Sequence, residues 1–444
     1  MTVSEQFAAY ACGSPLDKSD TKTVAEVQSR ILDYITVTRA AAHYSDFIPR
    51  IAAFARMFGD TRGSGYPVNV TGFLNAAYAH ALDYDDGHLW AGVHAAGPVI
   101  GTAFALAPQY TPSGFRLLQA VAAGYEVEYR LAKALGKSHI QKGYHGSCTC
   151  GVFGSAITAG MLAGLTEKQM AYALGLAGLA CSGYRQPLAE GQMAKPVQVG
   201  YAAERGIVAT LLAAQGMEAP LQIFEGKSGL FSILTDAPKE QAIADSLNEL
   251  GSTRLINDTY TKLYPCARYT HPAIEACFML RSGIGEIGDI ASIEVNTFDI
   301  AYEATAPNQK PQSPAEARFS MNYLVAVALR EGFVGLEDFT EQSIARPEMA
   351  ELGAKVTCRS TKEWNDLYPD IRGAELRIIK KNGEVFSHKT TKLSGMDGDH
   401  AEVRRKFRNA LSAVYAPEKL KEIEACVEAL PSLDNAAVLS RLLD

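Results

Sequence analysis

Over residues 22–263 of this 444-residue chain the apolar residues return every third or fourth position, and nowhere there do they alternate convincingly. That period marks helices with one buried face, so the first three-fifths of the chain cannot be built around a sheet. Residues 22–42 carry it through Val24, Val27, Ile31, Tyr34 and Ile35, and 45–58 repeat it. Residues 115–135 predict a longer helix in which Glu126, Glu128 and Arg130 interrupt an apolar face. The Ala- and Gly-rich runs 152–165, 167–180 and 197–215 predict helices that pack closely and are buried.

Beyond Pro272 the pattern changes. Residues 290–300, IASIEVNTFDI, alternate as a half-buried strand does, and 354–359 and 374–380 also read as strands. Lys380-Lys381-Asn382-Gly383 predicts a hairpin into 385–390, because Asn-Gly suits a primed turn. Ser313, Pro314 and Glu316 form a capping-box pattern opening a helix over 314–330. Helices resume at His400. The predicted fold class is mainly α with an α+β lid. A large, discontinuous all-helical domain (1–267, completed by C-terminal helices over 399–444) would carry an inserted smaller α+β domain over 268–398. A cleft between such domains is a natural ligand site.

A net charge of −7 gives no general attraction to nucleic acid or to an anionic membrane, so an anionic substrate needs a local basic pocket. The eight cysteines are scattered, and Cys148 and Cys150, the close pair, lack C-x-x-C spacing. Reduced thiols in a cytoplasmic protein are expected. Residues 1–10 lack the pattern of a signal peptide. No apolar stretch is expected to reach the length of a membrane span, 151–165 coming nearest. The Gly63-Ser64-Gly65-Tyr66 run follows no strand and brings no P-loop lysine.

Chemistry concentrates in residues 79–98, AHALDYDDGHLWAGVHAAGP, which hold Asp83, Asp85, Asp86, His80, His88 and His94. The cluster begins where the apolar helical run over 70–82 ends. Pro98 suits the first turn of a second helix, which places His94 near helix N–H groups that favour an anion. Asp83 and His94 read as functional, whereas Asp85 and Asp86 read at least as readily as solvated turn residues. His88 and His94 lack a third ligand at a recognisable spacing, so no metal is expected. Four further places stand out. His145 lies in a glycine-flanked turn at a helix start, where an imidazole and backbone N–H groups meet. Lys195 opens a long helix, where a cation is unfavourable unless it faces an anion, and it reads equally as a surface lysine. Lys262 and Arg268 in KLYPCARYTH flank a Tyr-Pro turn that serves either a cleft or a packed hinge. Arg318 and Tyr323 lie in EARFSMNY.

Five ordered blocks resemble the MmgE/PrpD family: NAAYAHALDYDDGHLWAGVH, GYHGSCTCGVFGSA, AKPVQVGYAAERG, KLYPCARYTHPAIEA and SPAEARFSMNYLVAVAL, with KFR at Lys406–Arg408 after them. The family includes 2-methylcitrate dehydratase, cis-aconitate decarboxylase and iminodisuccinate epimerase. The resemblance implies a helical domain with an α+β lid, a homodimer, no cofactor and a small-molecule carboxylate substrate. It places Asp83, His94, His145, Lys195, Lys262 and Tyr323 around the pocket. The implied roles are catalytic for His94, His145, Asp83 and Tyr323, and substrate-binding for Lys195, Lys262, Arg268 and His88. Chemistry at a carbon next to a carboxylate builds up negative charge, which cations and hydrogen-bond donors must stabilise. Three positions depart from the family. Gly87 stands where many members have threonine, His94-Ala95-Ala96 replaces His-Pro-Ser, and Ala267 occupies the place of a histidine in the decarboxylase. These departures argue against cis-aconitate and for a smaller or less charged substrate than 2-methylcitrate. The leading expectation is a cofactor-independent dehydratase on a hydroxy-carboxylic acid. An epimerase using the same proton abstraction, a decarboxylase and a catalytically silent carboxylate binder are the alternatives.

Overall fold

The structure is a computed structural model that describes residues 1–443 except Ser14, residues 60–64, Gly191 and Asp397. Gly63 and Ser64 of the phosphate-loop comparison therefore lie outside the described residues. The chain divides into two compact units. One comprises Met1–Gln186, Ala194–Thr261 and Met396–Asp444, and the other Pro187–Met193 and Lys262–Gly395. The protein is mainly α, with an α+β portion in the C-terminal region.

In the first unit the predicted periods become helices that bury more charge than their sequence suggests. The helix Thr21–Tyr44 starts on Asp20, whose carboxylate accepts the Thr23 N–H at 3.1 Å, a cap worth about 1 kcal/mol. Glu26, Arg30 and Asp33 lie on its buried side. Arg30 pairs with Glu26 at 2.9 Å, and Asp33 pairs with Lys406 at 2.6 Å. That second pair ties the helix His400–Leu411 to Thr21–Tyr44. Along Gly114–Gln141, Glu126 and Arg130 pair at 2.7 Å. Glu128 is fully buried with no hydrogen bond to either carboxylate oxygen among the described residues. Burial, and then the charge of Asp86, hold its carboxyl well above the usual range.

Two findings correct the sequence reading here. The run Gly146–Ala163 is, by length and composition, apolar enough to cross a membrane, but 94% of it is buried inside this unit, as a core helix is. A short antiparallel pair also forms between β1 (Gly87–His88) and β2 (Thr259–Tyr260), with Gly87 opposite Tyr260. Two-residue strands are too short to show any alternation.

The second unit holds a four-stranded sheet of β3 (Ile290–Thr297), β4 (Val356–Ser360), β5 (Ala374–Lys380) and β6 (Val385–Thr390), in the order β4-β3-β5-β6. β3 runs parallel to β4 and antiparallel to β5, and the β5–β6 hairpin closes at Ile379 opposite Val385. Gly383 takes φ 87° in that hairpin's turn, as the Asn-Gly pair requires. Ile293, Val295, Leu376 and Ile378 meet Leu324 and Ala328 in the core. The helix expected over 314–330 is two. Pro314–Ala317 stops after one turn, and Met321–Glu331 starts afresh on Ser320, whose Oγ accepts the Tyr323 N–H at 3.2 Å. Between them the Arg318 guanidinium donates to the Pro265 carbonyl at 2.6 Å and lies 4.2 Å from the Phe339 ring centroid. Glu316 reaches back to the Gln312 N–H instead of closing a capping box.

Candidate active site

The helix Val68–His80 ends on a buried histidine, and the chain then turns sharply. Asp83 makes that turn with φ 51°, a left-handed conformation that aspartate tolerates better than most residues. Its carboxylate forms a buried ion pair with Lys195, the first residue of the helix Lys195–Ala214. The anion that a lysine needs at a helix start is thus supplied by the chain itself.

Asp85 and Asp86 are fully buried, which corrects their reading as solvated residues. Asp85 meets the His80 Nδ1 at 2.6 Å and stands 3.9 Å from the His94 Nδ1. Asp86 accepts from the Tyr125 hydroxyl at 2.7 Å and from the Ala96 N–H at 3.4 Å. It therefore occupies the start of the π-helical turn Ala96–Ile100, where a substrate anion was expected. Burial, opposed by the Arg30 charge and helped by Asp33, pushes the Asp86 carboxyl up to about 7.

This shift carries a stability consequence. A carboxyl whose folded pKa is raised stabilises the fold fully below its unfolded pKa, near 3.8, and that contribution is lost as pH rises toward 7. Asp86→Asn should therefore gain stability relative to the parent between pH 4 and 7, by about 1.4 kcal/mol per pH unit at most. Urea denaturation across that range checks this, and parallel curves for the two proteins would contradict it.

His94 donates from Nδ1 to the backbone carbonyl of Asp86. A carbonyl can only accept, so the neutral ring carries its proton on Nδ1 and Nε2 is its basic nitrogen. The His94 N–H donates to the Ser147 Oγ at 2.9 Å, which fixes the loop against the turn bearing His145. Gly146 permits that approach, since a Cβ there would fall 2.5 Å from Val93 Cγ1. His145 is buried, with Nδ1 3.1 Å from the Cys148 Sγ. Burial, then Lys195, His80 and Arg185, hold the His145 imidazole well below its ordinary value, so it is neutral near pH 7. Burial likewise raises the Cys148 thiol. When the protonated Cys148 thiol donates to Nδ1, the His145 N–H sits on Nε2; when the thiol accepts, it sits on Nδ1. The rings of His94 and His145 lie 5.2 and 5.8 Å from that of His80. The site thus pairs a basic imidazole nitrogen with a neutral imidazole donor.

His88 organises the loop between them. Its Nδ1 accepts the Ala91 N–H at 3.1 Å, and its ring packs 4.5 Å from Tyr129. At Gly87 a Cβ would fall 2.5 Å from the Tyr260 hydroxyl, so Tyr260 fills the space that a threonine side chain would need. His80 and Asp85 belong to the polar cluster of residues 79–98, but the sequence assigns neither of them a role. The signal was present, because His80 continues the Phe73, Ala77 stripe of a buried helix face.

The remaining candidates belong to the second unit. Lys262 is buried, and Arg268 reaches His271 Nδ1 at 3.0 Å and the Ser394 carbonyl at 3.1 Å. The Ala267 N–H donates to the Arg318 carbonyl at 2.9 Å, so the KLYPCARYTH and EARFSMNY segments support each other. Tyr323 donates its hydroxyl to the Asp338 carbonyl, and burial raises its phenol. It lines a cavity of about 280 Å³ together with Lys310, Gln312, Glu341 and Met349. Among the described residues no group of three or more His, Cys, Asp or Glu side chains could hold a metal ion.

A buried carboxylate–histidine cluster within the helical unit is the arrangement of an acid–base enzyme. The chain belongs to the MmgE/PrpD family: residues 5–242 match the MmgE/PrpD N-terminal domain and 264–431 the C-terminal domain. It is 28% identical to cis-aconitate decarboxylase of Aspergillus terreus over 400 residues, 83% of this chain and 80% of that protein. Identity to cis-aconitate decarboxylase of Mus musculus is 26% over 468 residues, covering 100% and 93%. The mitochondrial 2-methylcitrate dehydratase of Yarrowia lipolytica is 26% identical over 244 residues, 52% of this chain and 46% of that protein. The enzymes so named are lyases.

Proposed function

We propose that the protein is a lyase that removes a proton next to a carboxylate and eliminates water from a hydroxy-carboxylic acid related to 2-methylcitrate. The observation that carries this is the complementary state of the two histidines. His94 offers Nε2 as a base, while His145, kept neutral, offers an N–H to the oxygen where charge accumulates. A neutral donor stabilises that oxygen without giving up its own proton, and the proton that His94 takes from carbon passes to the departing hydroxyl, which leaves as water while the carbon–carbon double bond forms. Lys262 and Arg268 are assigned to substrate carboxylates. Lys195, held in place by Asp83, is assigned to a substrate carboxylate as well, and Tyr323 acts as a donor once it releases Asp338.

A second reading, decarboxylation, has one observation in its favour: the likeness to cis-aconitate decarboxylases extends over four-fifths or more of the chain. Against it, Ala267 offers only a methyl group where the family resemblance implies a histidine in the decarboxylase. Incubation with 2-methylcitrate, citrate, malate and cis-aconitate, read by NMR, tests both. A new alkene from a hydroxy acid supports dehydration, and carbon dioxide from cis-aconitate supports the second reading. Exchange without product indicates an epimerase, and inertness toward all four contradicts the proposal.

We also propose a homodimer through an aromatic face of the helical unit. Phe58, Phe54, Phe73 and Tyr201 form a chain of ring contacts at 5.1, 5.7 and 5.4 Å. Phe54, Phe58, Tyr201 and Leu212 are exposed, which an isolated chain would leave in water. Light scattering should give twice the chain mass for the parent and a shift to monomer for Tyr201→Glu. A monomeric parent would contradict this. The eight free thiols fit a reducing compartment such as the cytoplasm.

A further inference from the structure

We propose that His80 and Asp85 form a positioning dyad that joins His94 and His145 into one acid–base unit, with neither dyad member touching substrate. This rests on the assignment of His94 as the base. The helix Val68–His80 delivers His80, and the turn behind Asp83 delivers Asp85. Both are at most 1% exposed, and each is partnered by the other. The His80 Nδ1 lies 2.6 Å from Asp85 Oδ2. A carboxylate accepts, so His80 carries a proton on Nδ1 and its ring orientation is fixed. The fixed ring then abuts His94 at 5.2 Å and 59°, and His145 at 5.8 Å and 66°. The other oxygen of the same carboxylate stands 3.9 Å from the His94 Nδ1.

Two effects follow from this geometry. When His94 takes a proton from substrate it becomes an imidazolium. The Asp85 charge favours that state, as a buried anion this close to a histidine does. His80 meanwhile keeps the Asp85 charge compensated and holds the two outer rings apart at a set angle. Charged and titratable groups around the unit include Lys195, Arg185, Asp83 and Cys148 at His145, and Asp86 and Lys406 at Asp85. None of them bridges the three rings as His80 does.

The test uses the full-length protein with ¹⁵N-labelled histidine, together with Asp85→Asn, Asp85→Glu and His80→Gln. NMR of the parent should show His80 protonated at Nδ1 and bonded to a carboxylate; protonation at Nε2 alone would overturn the dyad, and this readout needs no variant to fold. On the hydroxy acid that the parent converts, Asp85→Asn should lower kcat by roughly 10- to 100-fold with KM changed less than about threefold. It should also move the acidic limb of the kcat/KM profile to lower pH, because His94 loses the anion 3.9 Å from its Nδ1. Asp85→Glu should restore part of kcat, and His80→Gln should mimic the loss. A fall in activity that tracks thermal unfolding, with the limb unmoved, would reduce the pair to a structural role and overturn the proposal. A parent inert toward every acid tested would instead overturn the assignment of function, while the dyad stands or falls on the ¹⁵N spectrum.

Discussion

Lys406→Met should destabilise the protein by about 3–5 kcal/mol, a large part of the total stability of an ordinary domain. Lys406 is buried on the helix His400–Leu411, with Nζ 2.6 Å from Asp33 and 2.7 Å from the Tyr84 carbonyl, and 3.8 Å from the Tyr84 ring centroid. Burial lowers its pKa, and the Asp33 charge opposes that. Removing the ammonium leaves the Asp33 carboxylate buried beside Glu26 with one cation, Arg30, close by. It also strips a donor from Tyr84, in the turn that carries Asp83 and Asp85. Urea denaturation measures the loss. Adding Asp33→Leu should recover most of it, because an apolar pair needs no charge compensation. A single-variant loss below about 1 kcal/mol would mean that the ionic core contributes little.

His94→Gln should lower kcat by roughly 10²- to 10⁴-fold, the range expected when a general base is removed. Glutamine keeps a donor that can reach the Asp86 carbonyl, so the loop and the Ser147 contact should persist. What it lacks is a basic nitrogen in place of Nε2. The thermal midpoint should therefore stay within a few degrees of the parent while turnover collapses. Steady-state rates and a melting curve on the same preparation separate the two. A variant retaining more than a tenth of kcat would transfer the base role elsewhere.

The fold class was legible because helix period and strand alternation are local. Val24, Val27, Ile31 and Ile35 announce one buried stripe, and Asn382-Gly383 announces the β5–β6 turn. Breaks imposed from a distance were not legible. Arg318 leaves its helix to satisfy the Pro265 carbonyl, a contact across 53 residues that no local pattern encodes. The site followed the same division. His94 and His145 drew notice because glycines and helix starts surround them. Asp85 and Asp86 resemble any solvated acidic turn until His80, Tyr125 and the Ala96 N–H are seen to enclose them. Lys195 was ambiguous alone, because its partner Asp83 is 112 residues away. Gly87, a departure from the threonine of many family members, makes room for Tyr260, contributed by the distant strand β2.

The most direct measurement is deuterium incorporation from heavy water at the carbon next to the substrate carboxylate, read by mass spectrometry for the parent and for His94→Gln. Label is expected in the acid that the parent converts, with incorporation roughly 10²- to 10⁴-fold slower for the variant. Equal labelling by both proteins would contradict it.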